Sequence, residues 1–147
     1  MTRWWLPIVL LVCTGCTQRQ PLTPLQCGPW GTPSAELPVA LSDSTFRAAT
    51  RRDSASLAQL SMQPSTIRSL LQRARAEPKL FRSAVEAERL VCVSKNGDDK
   101  VNVNVFFRYP NGRGSRTDQY KDQELLGLTW VKTDRWRLMT WTLWSRY

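Results

Sequence analysis

The 147-residue chain carries 21 Lys and Arg against 12 Asp and Glu, a formal net charge of +9, and has no histidine. Without histidine, Ser-His-Asp and Cys-His centres are excluded, as are His-ligated zinc and haem sites. The length suits one domain with a short appended segment.

Arg3 precedes an apolar run over residues 4–12, broken by Pro7 and followed by small residues. A basic start, a short apolar stretch and small residues form the pattern of an export signal. Spanning a bilayer takes about 20 apolar residues, so a membrane-crossing helix is the weaker reading. The stretch Cys13-Thr14-Gly15-Cys16 resembles the lipobox of bacterial lipoproteins, with Gly15 as the small residue before Cys16 and Cys13 in the place usually held by Leu. The resemblance covers residues 1–16. It implies a signal peptide over residues 1–15, cleavage before Cys16, a diacylglycerol thioether on the Cys16 sulfur and an acyl group on the new amine. Two or more acyl chains hold a protein stably on a bilayer, at about 0.8 kcal/mol per buried CH₂. The implied location is the cell envelope, with the membrane as partner through the lipid on Cys16. Thr17 is not the Asp that retains lipoproteins at the inner membrane, which favours the periplasmic side of the outer membrane in a Gram-negative source. The alternatives are an ordinary cleaved signal with incidental cysteines and a Cys-x-x-Cys metal or redox pair.

Residues 16–41 read as a Pro-rich tether of extended character, with Pro21, Pro24, Pro29, Pro33 and Pro38 set among Gly, Ser and Thr. Trp30 is either a docking point within it or simply exposed. Cys27 and Cys92 are the two cysteines beyond Cys16. An even pair in an oxidising compartment points to a disulfide, worth about 4 kcal/mol for so long a loop on chain-entropy grounds. The alternative is a buried free Cys92 in a strand and an exposed Cys27.

The texture changes at Ser42, and the folded domain is expected over residues 42–147. Ser42 and Asp43 read as caps before a short helix. Asp53 reads as the N-cap of a second helix, with Leu57 and Leu60 on one face. Pro64 takes a first-turn position in a third, where Ile67, Leu70, Leu71 and Ala74 recur at i, i+3, i+4 and i+7. Beyond Pro78, a fourth places Phe81, Ala84 and Val85 together.

The second half reads as β. Residues 89–109 form a strand, a turn at Asn96-Gly97 and a strand. Val101, Val103, Val105, Phe107 and Tyr109 alternate with Asn102, Asn104, Phe106 and Arg108. Residues 110–116 read as a flexible loop, and a second hairpin turns near Thr133-Asp134. Leu126, Leu128 and Trp130 point one way on its first strand, Leu125 and Val131 the other. Strict alternation sets Trp136, Leu138 and Trp144 against Met139, Trp141 and Leu143. Both faces would then be apolar while helices cover one, leaving the second for a partner chain, a ligand or the tether. If Val91 and Val93 face the helices, Cys92 faces outward, and a bond to Cys27 would pin the tether and Trp30 on the outer face. A homodimer through that face is the competing arrangement.

Helices followed by an antiparallel meander give an α+β fold, N-terminal helices packed on a curved sheet of about four strands. Three stretches resemble the NTF2-like (cystatin-like) superfamily: TFRAATRRDSASLAQLS its opening helices, KVNVNVFFRY a middle strand and TDRWRLMTWTL its final hairpin. The resemblance covers about residues 42–147. It implies a pocket between helices and sheet, which some members use for catalysis with Asp, His, Tyr or Arg.

Here the carboxylates Asp43, Asp53, Asp98, Asp99, Asp118, Asp122 and Asp134 are expected at caps and turns, and Glu77, Glu86 and Glu88 near helix ends. None is expected to interrupt an apolar strand face, so catalysis ranks below the solvated reading. No cofactor or metal is expected. Asn102, Asn104 and Arg108 form a polar stripe, either the lining of a cleft or a solvent face. Arg51, Arg52, Arg68, Arg73, Arg75, Lys79 and Arg82 concentrate in the helical half. They read as a solvated face or as a surface for anionic lipids and envelope polymers. Nucleic acid is not an expected partner. The expectation is a lipid-anchored, non-catalytic module that binds a ligand or a protein. An accessory subunit of an envelope or secretion assembly is the first alternative, and an enzyme using the pocket the second.

Overall fold

The computed structural model describes residues 22, 27–28, 31–33, 37–109 and 123–144. Within them the order is β1 (Thr32–Pro33), α1 (Leu37–Arg51), α2 (Ser54–Leu60), α3 (Pro64–Ala76), α4 (Leu80–Glu86), β2 (Arg89–Lys95), β3 (Lys100–Arg108), β4 (Gln123–Lys132) and β5 (Trp136–Trp144). The strands make one antiparallel sheet in chain order. This is the expected α+β class, with the two-residue β1 added at the edge of a four-strand meander. Cys16, Trp30, the loop at residues 110–116, Asp118 and Asp122 lie outside the described residues. Among the described residues no helix is long and apolar enough to cross a membrane.

Helix α1 begins at Leu37, ahead of the expected caps, and Ser42 and Asp43 are interior rather than caps. A helix accepts proline in its first turn, so Pro38 does not delay it. The Ser42 hydroxyl bonds back along the helix, donating to the Pro38 carbonyl at 2.7 Å, and the Thr45 hydroxyl likewise donates to the Leu41 carbonyl at 2.9 Å. Asp43 instead accepts two hydrogen bonds from the Arg89 guanidinium, Nη2 to Oδ2 at 2.9 Å, tying α1 to the start of β2. That bond raises the already high pKa of Arg89.

Asp53 caps α2 as expected, with the Ser56 N–H donating to Oδ1 at 3.0 Å and the Ser56 hydroxyl to Oδ2 at 2.6 Å. The hydroxyl, then the N–H, holds the Asp53 carboxyl below its ordinary value. A depressed folded value means that the stabilisation is present above the unfolded pKa and is lost as pH falls through the folded one. Asp53→Asn is therefore expected to flatten the acid limb of the Tm–pH curve below about pH 4. It leaves Tm at neutral pH nearly unchanged, because Asn caps as well as Asp. Thermal melts of both proteins across that range check this; parallel acid limbs would contradict it.

The helices pack on one face of the sheet. Phe46 of α1 stacks on Phe81 of α4 with centroids 5.8 Å apart, and Phe81 meets the edge of Trp141 at 5.7 Å. Val101, Val103, Val105 and Phe107 face this core, as their alternation predicts, with Leu126, Leu128 and Trp130 beside them.

The last strand departs from strict alternation. Thr129 lies opposite Thr140 but Trp130 lies opposite Leu138, so Met139 is an extra residue in a β-bulge. The bulge reverses the parity of β5. Trp136, Leu138, Trp141 and Leu143 all join the helix-facing core, while Trp144 and the bulged Met139 stay exposed. The bulged edge is held by the α2–α3 connection and the first turn of α3: Met62 N–H donates to the Leu138 carbonyl at 2.8 Å and the Thr66 hydroxyl to the Met139 carbonyl at 3.2 Å. The outer face is consequently less apolar than alternation implies.

The segment read as a Pro-rich tether is fastened to the domain in part, through the Cys27–Cys92 pair. A disulfide joins Cys27 to Cys92, with Cα atoms 5.5 Å apart. Leu22 packs with Cys27, Cys92, Phe106, Leu125 and Leu90 in a second apolar cluster on the outer face. Gly31, at φ +153°, crosses so close to Val93 that a Cβ would collide with the Val93 carbonyl. Thr32 and Pro33 then pair with Val93 and Cys92. Leu22, Cys27, Gly31, Thr32 and Pro33 together act as a strap across the sheet.

Candidate functional site

Register decides what the outer face presents. Residues opposite one another on neighbouring strands share a face, so the pairings lay out rows running across the sheet. One row is Leu90, Phe106, Leu125 and Trp144. The next is Cys92, Asn104, Gly127 and Thr142. A third is Ser94, Asn102, Thr129 and Thr140. The face therefore grades from an apolar row, through a middle row with glycine at its centre, to a row of hydroxyls and amides.

Cys27 and Leu22 sit on the apolar row at its β2–β4 end. Beyond them an open groove of about 470 Å³ remains, lined by Ser94, Asn102, Asn104, Gly127, Leu128, Thr129, Thr142 and Trp144. Trp144 is 55% exposed, and its indole N–H donates to the Thr142 hydroxyl at 3.0 Å. The Thr129 hydroxyl donates to Asn102 Oδ1 at 2.9 Å. A Cβ on Gly127 would lie 2.8 Å from Thr142 Oγ1 and 3.0 Å from Asn104 Oδ1, so glycine is what lets those two groups close over the floor.

Of the polar stripe read from the sequence, Asn102 and Asn104 line this groove and Arg108 does not. Arg108 lies opposite Gln123, beyond the Phe106 row, and its Nε donates to Glu88 Oε2 at 3.1 Å. Strand parity puts the three on one face, but the apolar row separates them.

A second polar group sits on the helix side. Glu124 is buried on β4 opposite Phe107, sharing the parity of Leu126 and Leu128. It is a carboxylate on an apolar strand face that the sequence reading did not weigh among the carboxylates; the alternation from Leu126 back to Glu124 was its signal. Burial raises the Tyr109 hydroxyl pKa, the Glu124 charge adds to the effect, and Arg73 opposes it. Asp43 also departs from the cap-and-turn pattern, whereas Asp98, Asp99 and Asp134 occupy turns. Among the described residues no group of three His, Cys, Asp or Glu side chains could hold a metal ion.

The basic residues divide. Arg73 pairs with Glu77 at 2.8 Å. Arg47, Arg51 and Arg82 converge with Thr50 and Glu86 around a shallow groove between α1 and α4, while Arg52, Arg68, Arg75 and Lys79 stand exposed elsewhere.

No family model matches the chain, and neither a curated protein nor a solved structure matches it.

Proposed function

We propose that this is an exported, lipid-anchored cell-envelope protein whose NTF2-like domain binds a ligand on the outer face of its sheet without transforming it. The observation that carries the binding reading is the graded face: a fixed groove with an apolar wall, a glycine floor and a wall of amides and hydroxyls. Binding sites combine apolar surface with a few well-placed polar groups in this way. The envelope reading rests on the lipobox-like stretch ending at Cys16. The strap bears on it too. Cys16 would stand roughly eleven residues before Cys27, at most ~40 Å of extended chain, and Leu22 already packs on the sheet. A domain so fastened rides close to the bilayer with its groove on the strapped side. The arginine-lined groove between α1 and α4 supports a weaker, salt-sensitive contact with anionic lipids or polymers.

A photo-crosslinking amino acid at Thr142 or Ser94, compared with one at exposed Gln72 of α3, tests the choice of face in intact cells. Adducts are expected from the two sheet positions and not from Gln72. Protein adducts there would make the chain a subunit of an assembly. Adducts from Gln72 alone would place the binding surface on the helices and overturn the reading.

A further inference from the structure

We infer that the groove takes an uncharged, polyhydroxylated ligand, a neutral oligosaccharide segment, with Trp144 as its stacking platform. This rests on the reading of the outer face as the binding surface and adds the chemical class of what binds.

Charge argues first. The protein carries a net charge of +9, and yet none of the eight described residues that line the groove is ionisable. A charged ligand group entering it would lose hydration without meeting an opposite charge among the described lining residues, which is costly. A neutral ligand meets no such penalty.

The polar groups argue next. Ser94, Asn102, Asn104, Thr129 and Thr142 supply amide and hydroxyl functions able both to donate and to accept. A sugar hydroxyl needs such two-way partners. Internal bonds already fix Asn102 to Thr129 and Trp144 to Thr142. The side chains of Ser94 and Asn104 make no hydrogen bond among the described residues and remain available to a ligand.

The third argument is shape. The groove crosses from β2 to β5, three interstrand steps or about 14 Å. That suits a short chain lying across the strands. Strands β3 and β4 are paired on both sides, so an extended peptide finds no free backbone ladder on this floor. Recognition has to come through side chains and the ring. An indole half-exposed at the end of the apolar row offers its π face to the C–H face of a pyranose, while its N–H stays bonded to Thr142.

Titration of the full mature chain with cellotetraose, maltotetraose, chitotetraose and mannotetraose tests this, with an oligogalacturonate as the anionic counterpart. Tryptophan fluorescence and the Asn side-chain amide signals report occupancy. At least one neutral tetrasaccharide is expected to bind, shifting the Asn102 and Asn104 amides. Trp144→Ala, at an exposed position outside both apolar clusters, is expected to weaken binding about tenfold. Gly127→Ala, which pushes Thr142 and Asn104 apart, should do the same, and thermal melts distinguish a filled groove from a lost fold. Binding of none of the four, binding unchanged in Trp144→Ala, or binding of the oligogalacturonate alone at these residues would overturn the inference. Sheet-face crosslinks to a ligand of another class would end it while leaving the proposed binding surface standing.

Discussion

Replacing Cys27 with Ser is expected to destabilise the domain by about 2–5 kcal/mol. The bond joins positions 65 apart, and the loop it closes contains all four helices. Removing it frees the unfolded chain and so lowers the relative stability of the folded state. It also unfastens the strap. Leu22 and Cys27 cover Phe106 and Leu125, and without the bond that apolar row faces water. Cys92→Ser should cost a similar amount, and the double substitution no more than either single one, because all three remove one interaction. Urea unfolding under non-reducing conditions measures this. Dithiothreitol should bring the parent protein to the midpoint of the variants and raise its binding of an apolar dye. Identical midpoints for parent and variants would contradict the expectation.

Trp130→Ala is the second large effect, about 3–5 kcal/mol. Trp130 is fully buried on β4, and its indole N–H donates to Ser42 Oγ at 2.9 Å. Ser42 in turn donates to the Pro38 carbonyl at 2.7 Å, so one hydroxyl links the sheet to the first turns of α1. This predicts an asymmetry. Ser42→Ala leaves a buried indole N–H without its acceptor and should cost ~1–3 kcal/mol. Trp130→Phe removes the donor together with part of the ring. Adding Ser42→Ala to Trp130→Phe should then cost much less than Ser42→Ala alone. A double-mutant cycle by chemical unfolding measures the coupling; strict additivity would show that the Ser42–Trp130 bond contributes nothing.

Much of this architecture is legible in the sequence, for reasons that also mark where reading stops. Asp53, Pro64 and the Ile67–Leu70–Leu71–Ala74 spacing act locally, through capping, a preset φ and one helix face. The Val101–Phe107 alternation is equally local, and Cys92 takes the outward position that its neighbours imply. The start of α1 is not legible, because a helix tolerates Pro38 and the hydroxyls of Ser42 and Thr45 serve the interior as well as a cap. Nor is the parity of β5. The bulge at Met139 is set by pairing to β4 and by bonds from Met62 and Thr66, both far off in sequence. The candidate site lies between these cases. Asn102 and Asn104 are visible on their strand, but Gly127, Thr142 and Trp144 join them only through register across three strands. Arg108 shares their parity and still falls outside, because the Phe106 row intervenes.

The most direct test of a strapped, lipid-anchored module is the intact mass of the protein extracted from membranes of cells that process bacterial lipoproteins, taken without reductant. The expected mass is that of a chain beginning at Cys16, increased by a diacylglyceryl and an N-acyl group and decreased by two hydrogens for the Cys27–Cys92 bond. A chain that retains residues 1–15, or one that carries an unmodified Cys16, would contradict it.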